Sequence, residues 1–336
     1  MIEFAIPWLQ FAVCALLIGF AGHRLTRYAD IISIRTGLPS SWIGLVLLSA
    51  ATSLPELSTG ISAVTLFDTP DIAMGDALGS CILNLAMLVA LDALNRGESI
   101  YCRINQSHVL TAGFGIILIG IVGLTILTSG TIIGQALYHV SAYTPLVILI
   151  YFVAVRAAYT HERRISITVP VAQDADPLNL RQAIVRYAAA AAVVALVGSL
   201  LPSVGLQVVL LTGWEASFVG TLFVAMATSL PEFVVVISAV RRNAEDMAIA
   251  ALLGSNLFDI LIIALDDLAY TKGNIFAAVS PAHAASAFAA VIMNGIFVVA
   301  LLYRPRNRLF GSIGWVSLSL VSIYFFSAYF LYLYEL

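Results

Sequence analysis

Two glutamates occur in identical hexapeptides in the two halves of this chain. Glu56 and Glu232 each end the sequence Ala-Thr-Ser-Leu-Pro-Glu, and each lies within a long apolar stretch. An acidic side chain at the centre of a bilayer costs about 2.5 to 3.5 kcal/mol on insertion scales. A lone buried glutamate could be protonated or satisfied by a neighbouring donor. Two glutamates at equivalent positions instead favour a binding function for positively charged groups.

The residues before Glu56 supply further oxygen atoms. Pro55 has no amide hydrogen to bond the carbonyl of Ala51, and its ring kinks the helix there, which frees that carbonyl. Thr52 and Ser53 lie four and three residues before Glu56, so their hydroxyls share a helix face with the carboxylate. The second half repeats these positions with Ala227, Thr228, Ser229, Pro231 and Glu232.

The apolar stretch that follows each hexapeptide adds a hydroxyl and an amide or acid, four residues apart. These pairs are Ser80 with Asn84 and Ser255 with Asp259. The complete set offers carboxylate, amide, hydroxyl and carbonyl oxygens, which hard cations such as Ca²⁺ and Na⁺ prefer, whereas Zn²⁺ or copper would favour histidine and cysteine. Three ionised acids would match three monovalent ions, or one divalent ion with one acid protonated.

The elements that position these residues are membrane helices. Hydrophobic residues make up 61% of the 336 residues and charged residues only 10%, against about 25% charged in soluble domains. Apolar runs long enough to cross a bilayer predict an all-α integral membrane protein with ten spans. They lie at 4–22, 41–66, 72–94, 108–129, 142–158, 183–205, 215–240, 246–269, 280–303 and 311–333.

The two halves of the chain are repeats. After the hexapeptides, the match continues with Asp71, Gly79, Ser80 and Asp92 against Asp246, Gly254, Ser255 and Asp267. Each half has an odd number of predicted spans, so the second half enters the membrane inverted, which is typical of transporters with a site at the repeat interface near the midplane. The predicted units are a first five-helix repeat at 1–158, a cytoplasmic linker at 159–182 and a second, inverted repeat at 183–336.

The basic residues predict the orientation. All fifteen arginines fall in or beside loops on one side, and Lys272 falls on the other. Because short cytoplasmic loops collect Lys and Arg, both termini are expected on the extracytoplasmic side. The start of the chain lacks a basic n-region, which indicates a retained first helix rather than a signal peptide. The short linker favours a prokaryotic plasma membrane. We expect inorganic cations and the lipid bilayer as partners, no nucleic acid, and no resident cofactor; the oligomeric state stays open.

These residues resemble the α-repeats of the cation/calcium exchanger superfamily, and sodium/calcium exchangers above all. The resemblance is specific in 42–94 and 217–269 and implies a fold of two inverted five-helix repeats. It also implies that Ca²⁺ or Na⁺ binds at Glu56, Glu232, Asp259 and Asn84, and it assigns the first and sixth spans the moving role in alternating access. The wider binding set that it implies is Thr52, Ser53, Glu56, Ser80, Asn84, Thr228, Ser229, Glu232, Ser255 and Asp259, with the carbonyls of Ser49 and Ala225.

The chain departs from the family's usual pattern in ways that affect the ion. Ala51 and Ala227 stand where glycine is usual, and Cys81 stands where asparagine is usual. Asp76, usually asparagine, adds an acid with no counterpart at Ala251. It lies one turn before Ser80 and is therefore either an extra proton or cation station or a residue that faces water. An asparagine in one half and an aspartate in the other resembles prokaryotic sodium/calcium exchangers more than proton-coupled ones.

The preferred interpretation is Na⁺/Ca²⁺ antiport by alternating access, and the alternative is H⁺-coupled transport of Ca²⁺ or another divalent cation. A homologue that binds ions without moving them is a further alternative. An intramembrane enzyme is not expected, because no His-Glu-x-x-His pair or serine with a base is present. Other acids near span ends, namely Asp92, Asp266 and Asp267, are expected to be solvated.

Overall fold

The computed structural model describes residues 2–36, 48–95, 99–129, 136–165, 178–242, 245–306, 308–309 and 313–334. Almost all of these residues are helical. In a bilayer the backbone amides and carbonyls have no water to bond, so they must pair within their own segment. The all-α membrane fold expected from the sequence is therefore confirmed.

The first half contains a π-helical segment, Ala63–Phe67, and one short hairpin among its α-helices. In chain order its elements are α1 (Ile2–Thr36), α2 (Ser49–Thr52), α3 (Leu54–Ser62), α4 (Pro70–Leu94), α5 (Ile100–Arg103), α6 (His108–Thr128), β1 (Ala136–Leu137), β2 (Val140–Ser141) and α7 (Thr144–Ile165).

The second half has a similar order, but its π-helical segment, Gly220–Val224, precedes the hexapeptide instead of following it; a hairpin again lies before the last helix. Its elements are α8 (Leu180–Gly198), α9 (Leu201–Thr212), α10 (Ala216–Val219), α11 (Ala225–Thr228), α12 (Leu230–Arg242), α13 (Glu245–Ala269), α14 (Ile275–Ala278), α15 (His283–Tyr303), β3 (Arg308–Leu309), β4 (Ile313–Gly314) and α16 (Trp315–Tyr334). The hairpins pair antiparallel, with Ala136 opposite Ser141 and Arg308 opposite Gly314.

Eight segments of the described chain are long and apolar enough to cross a membrane, and α8 with α9 counts as one of them. A ninth is the segment from α10 to α12, which is bent by 44°. The predicted span 41–66 begins at 41–47, outside the described residues, and continues as α2, α3 and the first π-helical segment. The count of ten spans therefore stays a prediction. Most of the predicted linker, at 166–177, also lies outside the described residues.

Helices α13 and α4 form the centre of the molecule. In α13, 83% of the most apolar window is buried, and in α4 67%, whereas only 28% is buried in α1, α7 and α16. The outer helices expose leucine, phenylalanine and tyrosine side chains, as expected of surfaces that face lipid. The polar residues of α4 and α13 lie in the most enclosed part of the protein, where a charged group is costly unless it is compensated.

The expectation that Asp92 is solvated is wrong, because its side chain is completely buried. Its Oδ1 accepts hydrogen bonds from Ser99 Oγ at 3.2 Å and from the Ile100 amide at 3.1 Å. Its Oδ2 accepts from Ser317 Oγ at 2.7 Å and from the Gly314 amide at 3.4 Å. Asp92 thus ties the end of α4 to α5 and to the start of α16.

Asp267 makes the corresponding connection in the other half, so the expectation that it is solvated is wrong as well. It is completely buried. The amide of Ser141, at 2.8 Å, and the hydroxyl of Thr144 donate to its Oδ2, and the amide of Ile275 donates to its Oδ1 at 3.1 Å. Both aspartates owe their burial to complete hydrogen bonding at the span ends, which apolar patterning alone does not predict.

A second symmetric pair of contacts crosses between the halves. His283 Nε2 lies 3.1 Å from Asp71 Oδ1, and His108 Nε2 lies 2.9 Å from Asp246 Oδ1. Each aspartate begins a central helix of one half, and each histidine begins a helix of the other. These two His–Asp contacts therefore join the repeats at both ends of the central helix pair.

Candidate cation-binding site

Both glutamate-bearing helices are interrupted at the serine before Leu-Pro-Glu. Ser53 has φ −85° and ψ 14°, and Ser229 has φ −81° and ψ 10°. Pro55 and Pro231 follow these breaks, and proline interrupts a helix because it lacks the amide hydrogen and its ring clashes with the preceding turn. The glutamate after each proline is almost completely buried, being 1% exposed in the first half and 2% in the second.

Glu56 is bonded to serines from both halves. Its Oε1 accepts hydrogen bonds from Ser80 Oγ at 3.5 Å and from Ser229 Oγ at 3.3 Å. The two hydroxyl oxygens lie 3.0 Å apart. Because Ser80 is on α4 and Ser229 is at the break before α12, this carboxylate lies at the interface between the repeats.

Glu232 has the mirrored arrangement. Its Oε1 accepts hydrogen bonds from Ser255 Oγ at 3.3 Å and from Ser53 Oγ at 3.5 Å. Thr52 Oγ1 lies 3.2 Å from Ser255 Oγ. The hexapeptides and the following helices thus converge as the sequence predicted, and each glutamate contacts hydroxyls of both halves.

Asp76 lies among these residues. We call the whole buried group the cluster, which consists of Thr52, Ser53, Glu56, Asp76, Ser80, Asn84, Thr228, Ser229, Glu232, Ser255 and Asp259. Its Oδ1 accepts a hydrogen bond of 2.8 Å from Thr228 Oγ1, and its side chain is 1% exposed. The alternative that Asp76 faces water is therefore wrong. At the symmetric position, Ala251 offers only its carbonyl, which accepts from Ser49 Oγ at 3.1 Å. Asp76 is consequently an acid of the cluster that the internal symmetry does not repeat.

The carbonyl oxygens of Ser49 and Ala225, which the family resemblance implies as cation ligands, have partners within their own segments. Each accepts from the amide of the serine at the helix break, at 2.9 and 3.0 Å respectively. Each also has the neighbouring threonine hydroxyl oxygen within 3.2 and 3.1 Å. The serine amide uses one lone pair of each carbonyl oxygen, so a cation would have to bind the other, on the side where the threonine hydroxyl lies.

Asn256 is a residue at the centre that the sequence interpretation missed. Asn84 Nδ2 donates to Asn256 Oδ1 at 3.0 Å, and Asn256 Nδ2 donates to the Cys81 carbonyl at 3.3 Å. Cys81 Sγ lies 3.9 Å from Asp259 Oδ2. Asn256 follows Gly-Ser in the second half as Cys81 does in the first, so the repeat alignment held the signal that could have identified it.

The site is rich in oxygen acceptors and poor in positive charge. No three His, Cys, Asp or Glu side chains of the described residues are close enough to hold a metal ion alone, so hydroxyl and amide oxygens would have to complete a coordination sphere. No lysine or arginine with a described side chain is buried. Five buried acceptor atoms of the cluster have no hydrogen-bond donor among the described residues: Glu56 Oε2, Asp76 Oδ2, Asn84 Oδ1, Glu232 Oε2 and Asp259 Oδ1.

Helices α1 and α8 contact the kinked segments through glycines at matching positions. A Cβ atom at Gly198 would lie 2.9 Å from the carbonyl oxygen of Pro55, and one at Gly22 would lie 2.8 Å from Cβ of Pro231. Both distances are too short for real contacts. Each outer helix thus rests on the proline that precedes a site glutamate, at a place where only glycine fits without a shift.

Comparison with curated proteins identifies relatives that cover most of the chain. Inner membrane protein YrbG of Escherichia coli (strain K12) is 26% identical over 271 residues, which cover 76% of this chain and 81% of the relative. The putative antiporter CaxA of Alkalimonas amylolytica is 23% identical over 250 residues, which cover 74% of this chain and 75% of the relative.

Solved structures share the fold. The sodium-calcium exchanger NCX_Mj, soaked with Na⁺ and Sr²⁺, matches with a TM-score of 0.61 at 19% identity over 96% of this chain and 98% of its own. Native YfkE matches with a TM-score of 0.68 at 17% identity over 96% and 91%. The family model for the sodium/calcium exchanger protein matches residues 6–160 and 183–334. Because these residues include both repeats, the chain belongs to the sodium/calcium exchanger protein family.

Proposed function

We propose that this protein exchanges Ca²⁺ for Na⁺ across a membrane by alternating access. The observation that carries the proposal is a set of buried acceptor oxygens from both repeats. Among the described residues these oxygens have no hydrogen-bond donor, and no lysine or arginine with a described side chain is buried near them. Desolvated carboxylates are costly unless positive charge joins them. Cations are therefore the ligands that this cluster is built to hold, and its carboxylate, amide and hydroxyl oxygens suit Ca²⁺ and Na⁺.

Competition for one cluster would couple the two fluxes. Glu56, Glu232 and Asp259 carry three negative charges when ionised, which matches three Na⁺ ions, or one Ca²⁺ with one acid protonated. Binding by residues of both repeats would stabilise the loaded protein, and only the loaded protein would switch its opening between the two sides. The ions are substrates in this mechanism, and we propose no resident cofactor.

The opening would switch by movement of α1 and of the α8–α9 segment. Gly22 and Gly198 bring these helices onto the kinked segments without a side chain between them. Smooth contacts of this kind allow helices to approach closely and to slide. A shift of either helix would uncover one end of the cluster, since each rests beside a site glutamate.

The alternative is H⁺-coupled exchange of Ca²⁺ or another divalent cation. The observation that favours it is Asp76, a fourth buried acid in the cluster. A cluster with more acids than the bound cations can balance would carry a proton in part of its cycle. Sodium and proton coupling therefore have to be separated by experiment.

We also propose that the protein lies in a prokaryotic plasma membrane with both termini and Lys272 on the extracytoplasmic side. The relative YrbG is named as an inner membrane protein, and the arginines fall on the opposite side from Lys272. The proposed organisation keeps the two five-helix repeats, 1–158 and 183–336, joined by a cytoplasmic linker at 159–182.

The test is uptake of radioactive calcium into proteoliposomes under an outward sodium gradient and, separately, an outward proton gradient. Glu56→Gln and Glu232→Gln should abolish uptake, while Glu215→Gln, the same change at an exposed position, should leave it intact. Uptake driven by sodium supports the proposal, and uptake driven only by protons supports the alternative. Absence of uptake under both gradients would reject calcium exchange.

A further inference from the structure

Asp266 is a buried acid that the cation cluster does not use. It lies on α13, about two helical turns beyond the cluster residue Asp259. Its side chain is 1% exposed, so the expectation that it is solvated is wrong. Neither carboxylate oxygen has a hydrogen-bond partner among the described residues. This distinguishes it from Asp267, whose oxygens accept three hydrogen bonds.

The Asp266 carboxylate packs on the backbone of α3 at Gly60. A Cβ atom at position 60 would lie 2.7 Å from Asp266 Oδ1 and 2.9 Å from its Cγ. Any larger side chain would therefore displace the acid. Gly60 lies one turn after Glu56 on the same helix, so Asp266 is next to the segment that leads away from the cluster.

The internal symmetry shows that an acid is not needed for packing at this position. The repeat equivalents of Asp266 and Gly60 are Leu91 and Val236, and both are completely buried in the main hydrophobic cluster. One end of the molecule thus has an apolar pair where the other end has an acid and a glycine. An acid and a glycine bury less apolar surface than the leucine and valine do. They also leave the Asp266 carboxylate without a hydrogen-bond donor among the described residues.

Apart from Asp259, whose repeat equivalent is Asn84, two buried acids lack an acidic repeat equivalent, and both lie on the same side of the cluster. Asp76 is near the beginning of α4, and Asp266 is near the end of α13. The salt bridge between Asp68 and Lys272, at 2.7 Å, joins the residues just before α4 and just after α13, so these helix ends share one face of the protein. We call it the Lys272 face.

We propose that Asp266 is a binding station for one monovalent cation, Na⁺ or H⁺, between the cluster and the Lys272 face. A carboxylate without donors requires a positive charge or a proton to be stable in this environment. A single carboxylate balances one positive charge, whereas Ca²⁺ carries two and needs about six to eight oxygen ligands. The neighbouring acids Asp76 and Asp267 have hydrogen-bond donors of their own. Asp266 thus serves the coupling ion, and the inference rests on the proposed cation exchange.

The first experiment compares Asp266→Asn with Asp68→Asn, a change at a half-exposed acid of the same face, in right-side-out and inside-out vesicles. Asp266→Asn should raise the half-saturating concentration of the coupling cation about fivefold or more, the lower end of typical coupling between sites. The increase should occur only from the Lys272 face, while Ca²⁺/Ca²⁺ exchange and the behaviour of Asp68→Asn stay at wild-type levels. The proposal would be overturned if Asp266→Asn kept the wild-type dependence on the coupling cation. It would also be overturned if Asp266→Asn lost Ca²⁺/Ca²⁺ exchange at normal thermal stability.

The second experiment does not depend on calcium transport. Infrared difference spectra of the purified protein are recorded on adding Na⁺ at fixed pH and, separately, on raising the pH. The wild type should lose a band of a protonated carboxylic acid, and the spectra of Asp266→Asn should not contain this change. Loss on adding Na⁺ identifies Na⁺ as the ligand, and loss only on raising the pH identifies H⁺. Identical spectra for both proteins would overturn the proposal, even if calcium exchange itself had failed. If Asp266→Asn does not fold, Asp266→Ser removes the charge with less volume and serves in both experiments.

Discussion

Thr228 donates a hydrogen bond of 2.8 Å to Asp76, whereas its repeat equivalent Thr52 lies against Ser255 at 3.2 Å. The inverted repeats thus place an acid beside one threonine and a hydroxyl beside the other. Ala251, at the position that matches Asp76, makes the difference. The two ends of the cluster are chemically unequal, so ions that arrive from opposite faces meet different ligands.

We therefore predict that Asp76→Asn weakens cation binding without preventing folding. The asparagine keeps an acceptor for Thr228 and removes one negative charge from a site near which no lysine or arginine with a described side chain is buried. Calcium affinity should fall about tenfold, equivalent to about 1.4 kcal/mol, as measured by calcium titration of the purified protein.

Asp68→Asn is the control for Asp76→Asn. Asp68 is 51% exposed and paired with Lys272, and charges at such positions are screened by salt. Its calcium affinity should match that of the wild type. Equal affinity in Asp76→Asn and the wild type would show that Asp76 carries no charge that a bound cation senses.

From the contacts of Gly22 and Gly198 we predict variants that exchange ions more slowly but bind calcium as tightly as the wild type. Gly198→Ala would press a methyl group against the Pro55 carbonyl, and Gly22→Ala would press one against Pro231. Overpacking costs about 1 to 3 kcal/mol, so the rate of exchange should fall about tenfold or more. Calcium affinity should change little, because neither glycine contributes an oxygen to the cluster.

Gly120→Ala provides the matched control, because a Cβ atom at Gly120 meets nothing within 4 Å. Its rate and affinity should equal those of the wild type in the same vesicle assay. A wild-type exchange rate in both Gly22→Ala and Gly198→Ala would contradict a role for these contacts in the switch of access.

Cys81 predicts sensitivity to soft divalent cations. Its thiol lies 3.9 Å from Asp259 Oδ2 and 3.7 Å from the Asn256 carbonyl, and thiolates favour soft ions such as Cd²⁺. Cd²⁺ should inhibit calcium exchange, and Cys81→Ser should raise the inhibitory concentration about tenfold, or about 1.4 kcal/mol. Cys14 and Cys102 lie outside the cluster, so Cys14→Ser and Cys102→Ser should be inhibited by Cd²⁺ as the wild type is. If these two variants relieve inhibition as well as Cys81→Ser does, the effect comes from general thiol reaction.

The sequence predicted the fold and the convergence of the hexapeptides because both follow from repeated local patterns. Long apolar runs with few charges specify membrane helices, and proline fixes the breaks near Ser53 and Ser229. The internal repeat then pairs Glu56 with Ser229 and Glu232 with Ser53 across the interface. The bilayer constrains this class of protein strongly, so the architecture could be predicted.

Pairwise contacts between the halves were harder to predict. Asn256 was missed because its partner, Asn84, lies in the other half, and the burial of Asp266 depends on the absence of a side chain at Gly60. Positions near span ends resemble solvated loops in sequence, so the sequence predicts that Asp92 and Asp267 are solvated. Each of these outcomes depends on tertiary packing, which apolar periodicity does not encode.

We predict that removing the carboxylate of Asp92 or Asp267 lowers the thermal stability of the protein without lowering its calcium affinity. Asp92→Ala would leave the donors from Ser99, Ile100 and Ser317 unpaired in a buried place. Each unsatisfied buried donor costs about 1 to 3 kcal/mol, so the thermal midpoint in detergent should fall clearly. Asp267→Ala should behave in the same way, since Asp267 also accepts hydrogen bonds at a span end.

The calcium affinity of the protein that remains folded should be unchanged in both variants, because neither acid reaches the cluster. A loss of affinity at unchanged thermal stability would instead show that these acids belong to the ion pathway.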